Sequence, residues 1–300
     1  MADRRCLIVG GCGYIGARLA QALATEHKVV VTRRTSSLLR DAWVERARLE
    51  VVDFDSASNA GLSVSGDFDA VINLAMPGAA EATRDPQVPF KARASVDACL
   101  QLLNTGRAGR LIHFSSFHVY GRAGNARYAE DDVADPAHPY GRIHLDCERM
   151  LLTHPDVLVL RPTNMVAEPA HADLGDQSKL LFLDLCRQAA SGTIRLHNDG
   201  LSFRDFLPFD DVLSAIRVLL GCDVSGARLF NIAQGQSQRL DEVARLIQAA
   251  SNAPVAVTFG AGQDAFRLPF SVSIERMAAL GWRPLSPLID ETRRIIQFFS

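Results

Sequence analysis

Lysine is almost missing from this 300-residue chain: only Lys28, Lys91 and Lys179 occur, so nearly all the positive charge is arginine. An excess of either charge is missing as well. The 32 basic and 34 acidic residues leave a net charge of −2, which argues against a basic nucleic-acid binder and against a disordered acidic tail. No apolar run approaches the ~18 residues needed to cross a bilayer. The opening Met-Ala-Asp-Arg-Arg leads straight into a short apolar run ending in glycines. It lacks the longer stretch and cleavage site of a signal peptide. A soluble cytoplasmic protein without membrane or nucleic-acid partners is expected. The cysteines (Cys6, Cys12, Cys99, Cys147, Cys186 and Cys222) are scattered, with no Cys-x-x-Cys. Buried thiols are therefore expected, with neither a disulfide framework nor a metal site.

What is present is a large apolar fraction, 48%, and an alternation of short β-branched runs with helical spacing. Strands are expected at Cys6–Val9, Val29–Thr32, Leu49–Val52, Ala70–Asn73, Leu111–Ser115 and Val157–Leu160. Helices are expected at Ile15–Ala24, Ser95–Asn104 and Gly141–Leu152. This rhythm predicts an α/β fold, a Rossmann-type doubly wound parallel sheet. After Pro169 the rhythm changes. A helix over Lys179–Ala190 and a strand over Thr193–Leu196 suggest a smaller C-terminal α/β lobe. The expected division is a dinucleotide-binding domain over 1–165, with 229–235 returning to its sheet, and a substrate lobe over 166–300.

Gly10-Gly11-Cys-Gly13-Tyr14-Ile15-Gly16 follows a strand and opens a helix. Without Cβ atoms that backbone can approach a pyrophosphate, whose charge meets the helix N-terminus. A ligand-free glycine turn is the bland alternative. The second strand ends Thr32-Arg33-Arg34 with no acid. A carboxylate there would suit the ribose 2′-hydroxyl of NAD, whereas guanidinium groups suit a 2′-phosphate. NADP is therefore expected ahead of NAD, unless both arginines merely face solvent. Asp53, closing the third strand, is either an acceptor for the adenine amino group or an ordinary turn residue. Leu74 and Ala75, past the fourth strand, complete the expected cofactor set.

Phe114-Ser-Ser116-Phe-His118-Val-Tyr-Gly121 and Pro139-Tyr140-Gly-Arg-Ile-His144 give the chain a resemblance to the extended short-chain dehydrogenase/reductase family. The nucleotide-sugar epimerases, dehydratases and ketoreductases are its nearest likeness. The resemblance continues through Arg161-Pro-Thr-Asn164, Phe203-Arg204-Asp-Phe206, Asp210-Asp-Val212 and Leu280-Gly-Trp282. It implies that Tyr140 exchanges a proton with the substrate oxygen while hydride moves to or from the nicotinamide, and that Ser116 holds the same oxygen. The family's lysine, four residues after the tyrosine, lowers the phenol pKa and holds the nicotinamide ribose. Here that position is His144, an unusual replacement on the same helix face. Ser95 likewise stands where the family often has asparagine.

The resemblance also bears on the reaction. Dehydratases of this kind carry an Asp-Glu pair where this chain has Phe117 and His118, so dehydration is disfavoured. His118 is either an acid or base at a sugar carbon or a wall of the pocket. Asn164 and Arg204 match positions that contact the substrate diphosphate, and Arg267 is a candidate second clamp. For Arg204 the alternative is an ion pair with Asp205 or Asp210. The expected function is NAD(P)-dependent reduction of a keto-sugar nucleotide, with epimerisation close behind, in a homodimer paired through the helices around Ser95–Asn104 and Gly141–Leu152. A reductase of a non-nucleotide ketone and a non-enzymatic NADP-binding redox sensor are the rival readings.

Overall fold

The computed structural model describes residues 4–34, 41–57, 61–121, 126–177, 180–223, 226–263 and 266–300. The chain divides into two compact units. Residues 1–121, 133–161 and 219–230 form the first; 122–132, 162–218 and 231–300 form the second.

The first unit is built on a seven-stranded sheet. Its strands are β1 (Arg5–Val9), β2 (Lys28–Arg33), β3 (Glu50–Asp53), β4 (Ala70–Asn73), β5 (Leu111–Phe114), β6 (Val157–Pro162) and β7 (Leu229–Ile232). Their order is β7-β6-β5-β4-β1-β2-β3, and every ladder from β6 to β3 is parallel. This is the doubly wound α/β sheet the sequence predicts. A parallel sheet is covered on both faces, which is why Cys6, Leu7, Ile8 and Val9 are all fully buried. The strand order reverses between β1 and β4, and ligands of such sheets bind at that switch point, outside the carboxyl ends of the strands.

Three helices carry the candidate site: α1 (Tyr14–Leu23), α2 (Val88–Asn104) and α3 (Pro139–Leu151). Helix α2 starts seven residues before the expected Ser95. Pro89 falls in its first turn, where a missing N–H costs nothing. Successive strand residues face opposite sides. Leu7, Val9, Val71, Leu111, Val157 and Val159 share one side, and Val96, Cys99 and Leu103 of α2 and Ile143, Cys147 and Leu151 of α3 pack onto it. The apolar stripes of both helices are thus used inside the chain.

The second unit holds short strand pairs: Asn164–Val166 with Phe206–Pro208, Thr193–Asn198 with Ala256–Gly262, and Arg127–Tyr128 with Ser271–Val272, all parallel. Phe203–Arg204 pairs antiparallel with Gln238–Arg239. Two buried carboxylates tie its loops. Asp205 accepts from the Thr163 hydroxyl and from the N–H groups of Gln234 and Gly235. Asp211 accepts from the N–H groups of Leu285 and Ser286 at 2.9 and 3.1 Å and from the Gln234 amide at 2.8 Å. Trp282 donates to Ser214 at 2.9 Å. The helix expected from Lys179 runs Leu181–Ala190, and Lys179 itself lies outside the described residues.

Candidate active site

The glycine run joins β1 to α1 at the switch point. Gly10 has φ +83°, a region that favours glycine. A Cβ there would lie 2.8 Å from the Ala75 nitrogen, so the Leu74–Ala75 backbone closes against the loop. At Gly16 a Cβ would sit 2.2 Å from the Gly10 carbonyl oxygen, and at Gly11 it would strike Val31 at 2.7 Å. Gly13 caps α1 without a side-chain hydrogen bond, and no acid occupies the first turn. The N-terminal end of a helix, approached by bare backbone, suits a pyrophosphate.

Arg33 and Asp53 are register partners at the ends of β2 and β3, and they form a 2.8 Å ion pair. Arg34 is exposed beside them; Thr35, Ser36 and Ser37 lie outside the described residues.

The catalytic candidates meet at the exit of β5 and the start of α3. Ser116 caps the short 3-10 turn Phe117–Tyr120, its hydroxyl accepting from the His118 N–H at 3.2 Å. Pro139 opens α3, and the His138 ring accepts the Tyr140 N–H at 3.2 Å. The Ser116 side chain lies near enough to the Tyr140 phenol to favour its ionised form. One helical turn on, the His144 ring lies 4.5 Å from the Tyr140 ring, centroid to centroid. The His118 ring approaches edge-on at 5.6 Å. Burial holds the Tyr140 phenol above its ordinary pKa, with the nearby Ser116 side chain pulling the other way. Burial, with smaller contributions from His113 and His118, pushes His144 down to about 3. His144 is therefore neutral at physiological pH and supplies no positive charge to the phenol.

Sequence reasoning missed the anchor beneath these residues. Glu148, 1% exposed, receives three hydrogen bonds from Arg161, Nε to Oε1 at 3.0 Å and to Oε2 at 3.3 Å and Nη2 to Oε2 at 2.7 Å, and a fourth from the Ser115 hydroxyl. The Arg161 guanidinium also lies over the Tyr120 ring at 4.7 Å. This cluster bolts α3 to β5, β6 and the 3-10 turn. The available signal was a glutamate on the same helical stripe as His144 and Leu151. His113, fully buried on β5, was also missed.

Residues 6–233 match the sequence profile of the NAD dependent epimerase/dehydratase family. The chain belongs to that family. Among relatives of this epimerase/dehydratase chain, the UDP-glucose 4-epimerase of Mycolicibacterium smegmatis is 26% identical over 315 residues, covering 98% of both proteins. The GDP-6-deoxy-D-mannose reductase of Pseudomonas aeruginosa is 28% identical over 268 residues, covering 81% of this chain and 79% of the relative. The solved UDP-N-acetylglucosamine 4-epimerase from Methanobrevibacter ruminantium, in complex with UDP-N-acetylmuramic acid, superposes with a TM-score of 0.84. It covers 100% of this chain and 99% of that one at 19% identity, a likeness of fold.

The substrate candidates lie in the second unit. Asn164 donates its amide to the Asp205 carbonyl at 2.8 Å. Arg204 donates to the Phe203 carbonyl at 2.8 Å and lies 5.2 Å from the Phe266 ring. Asp210 pairs with Arg294 at 2.7 Å. Arg267 is bound to Asp199 through both carboxylate oxygens at 2.7 and 2.8 Å. Among the described residues no three His, Cys, Asp or Glu side chains converge as a metal centre requires. No described helix is long and apolar enough to cross a membrane.

Proposed function

We propose that this family member is an NADP-preferring ketoreductase of a nucleotide-linked keto sugar, with Tyr140 as its proton donor. The observation that carries the reading is the cluster of Ser116, Tyr140 and neutral His144 at the exit of β5. A phenol raised by burial, with no ammonium beside it among the described residues, keeps its proton at neutral pH. It is poised to protonate a carbonyl oxygen as charge develops there, while the Ser116 hydroxyl steadies the same oxygen. Epimerisation must first take a proton from a sugar hydroxyl, which calls for the phenolate, so this environment favours reduction. Phe117 and His118 offer no carboxylate for dehydration. His118 would either wall the sugar pocket or exchange a proton there.

The dinucleotide would be held by Gly10, Gly11, Gly13, Tyr14, Ile15 and Gly16 at its pyrophosphate and by Leu74 and Ala75 behind the loop. His144 would hold its ribose, and Arg33 and Arg34 its 2′-phosphate beside Asp53. Bound there, the nicotinamide supplies the hydride that the sugar carbon gains. An exposed ion pair such as Arg33–Asp53 is worth under about 1 kcal/mol, so that pairing is only a small barrier to Arg33 turning to a phosphate. Asn164, Arg204 and Arg267 are the proposed grip on the nucleoside diphosphate. We place the protein in the cytoplasm as a homodimer joined by the outer faces of α2 and α3, a reading supported by the exposed Phe90 on α2 and checked by light scattering.

The test is turnover of 4-keto sugars linked to UDP, GDP, CDP or dTDP with NADPH. Tyr140→Phe should lower kcat by roughly 10²–10⁴-fold, the usual worth of a general acid. A Tyr140→Phe enzyme as fast as wild type ends this reading. Turnover of free ketones with no affinity for any nucleoside diphosphate would move the substrate class instead.

A further inference from the structure

Strand β5 reads Leu111-Ile-His-Phe114, and its one polar residue, His113, points to the same side as Leu111, the side on which α2 and α3 pack. A buried imidazole needs a donor and an acceptor near it. Both His113 ring nitrogens nevertheless lack a hydrogen-bond partner among the described residues, and the same is true of both nitrogens of His144 and of the Asn73 amide nitrogen. These three residues are at most 1% exposed. They also adjoin one another. Asn73 and His113 are register partners on β4 and β5, and a proton on His113 would be felt at His144.

The Asn73 amide has a fixed orientation. Its oxygen accepts from the Ala75 N–H at 2.9 Å and from the Ser95 hydroxyl at 3.3 Å. Its NH₂ group is therefore the end left to donate. A neutral imidazole accepts on one nitrogen and donates from the other, and the partner on one side decides which nitrogen holds the proton. A donor at Asn73 makes the neighbouring nitrogen of His113 the acceptor and the other its N–H. That N–H in turn makes one nitrogen of His144 an acceptor and leaves the second as a donor.

We propose that Asn73, His113 and His144 form a directional hydrogen-bond chain, closed through single buried waters, in which His113 is a positioning residue that fixes His144 in the tautomer offering N–H to the Tyr140 side of the site. The inference rests on the proposed role of His144 beside Tyr140. Both rings are held neutral by burial, each pushed down to about 3, which the chain requires. It also links two replacements, His144 and Ser95, to one device: Ser95 helps to set the Asn73 amide, and His144 receives the result. An imidazole thereby presents the N–H that an ammonium would otherwise bring, without its charge.

The experiment uses the full chain with ¹⁵N-labelled histidine rings and no substrate or dinucleotide. Two-bond ring correlations report the protonation state and tautomer of each ring in wild type, His113→Phe and His113→Gln. In wild type, His144 should be neutral and in a single tautomer. His113→Phe should redistribute it between tautomers, and His113→Gln, which keeps a donor and an acceptor, should restore it. With substrate, His113→Phe should lower kcat by about tenfold, the lower end of what supporting partners contribute. A His144 spectrum identical in wild type and folded His113→Phe overturns the chain, and so does a wild-type His144 that exchanges between tautomers. Should His113→Phe not fold, a wild-type His144 that exchanges between tautomers, or a His113→Gln in which His144 loses its single tautomer, overturns the chain. A wild type inactive on every sugar nucleotide sinks the proposed function instead, and the ring spectra still judge His113.

Discussion

Arg161 and Glu148 give the sharpest test of how the site is held. Their side chains are 4% and 1% exposed, so neither charge is solvated once the other is gone. Arg161→Met leaves a buried carboxylate with only the Ser115 hydroxyl, and removing one partner of such a pair costs about 3–5 kcal/mol. At about 2 °C per kcal/mol for a large chain, Tm should fall by roughly 6–10 °C. Replacing both partners by apolar groups of similar volume removes the stranded charge, and such double replacements are often neutral. Arg161→Met/Glu148→Leu should therefore recover most of the loss. What remains is the Ser115 hydroxyl, about 1–3 kcal/mol if unpaired, which adding Ser115→Ala should return. Urea and thermal unfolding of the single, double and triple variants read these differences directly. A loss below about 1 kcal/mol in Arg161→Met, or a double variant less stable than the worse single one, would refute a solvent-excluded pair.

Other expectations follow from the same residues. His113 is neutral in the folded chain down to about pH 3 and gains a proton near its ordinary 6.5 when unfolded. The unfolded state thus binds more protons between those values, and stability falls as the pH drops through that window. His113→Phe should remove about 1.4 kcal/mol per pH unit from that slope between pH 6 and pH 4, read from urea midpoints; parallel slopes would contradict a buried neutral ring. His144→Lys brings an ammonium beside Tyr140 and favours the phenolate, so the pH profile of alcohol oxidation should move to lower pH; an unmoved profile in a folded, dinucleotide-binding variant would show that the phenol does not sense position 144. Arg33→Ala should weaken NADPH binding by about tenfold or more, a charge-assisted contact being worth ~1.5–3 kcal/mol, and leave NADH unchanged; equal losses for both would argue against a 2′-phosphate site.

The sequence exposed what depends on neighbours along the chain. The strands around the glycines, the helix opened by Gly13 and the Pro139 start of α3 are local patterns, and all lie where composition and spacing predict. The β3 strand is shifted by one residue, to Glu50–Asp53, because its partner β2 sets the register. What stayed hidden depends on partners far apart in sequence. Arg33 meets Asp53 only because β2 and β3 are in register. Glu148 meets Arg161 across a helix and a strand. Arg127–Tyr128 pairs with Ser271–Val272, two-residue ladders that carry no periodic signal of their own. His113 was legible in principle, as an imidazole in the middle of an apolar strand, but its meaning required Asn73 beside it.

The seventh strand of the first sheet is contributed by Leu229–Ile232, and the polypeptide passes between the two units five times, at 121/122, 132/133, 161/162, 218/219 and 230/231. A ribosome must therefore deliver more than two hundred residues before that sheet can close. Until then Val157–Pro162 is an uncovered rim with unsatisfied amides, the kind of edge that invites pairing with another nascent chain. Dividing this protein near residue 165 would leave that rim permanently bare, so its halves are poor candidates for separate expression or for exchange with those of a relative.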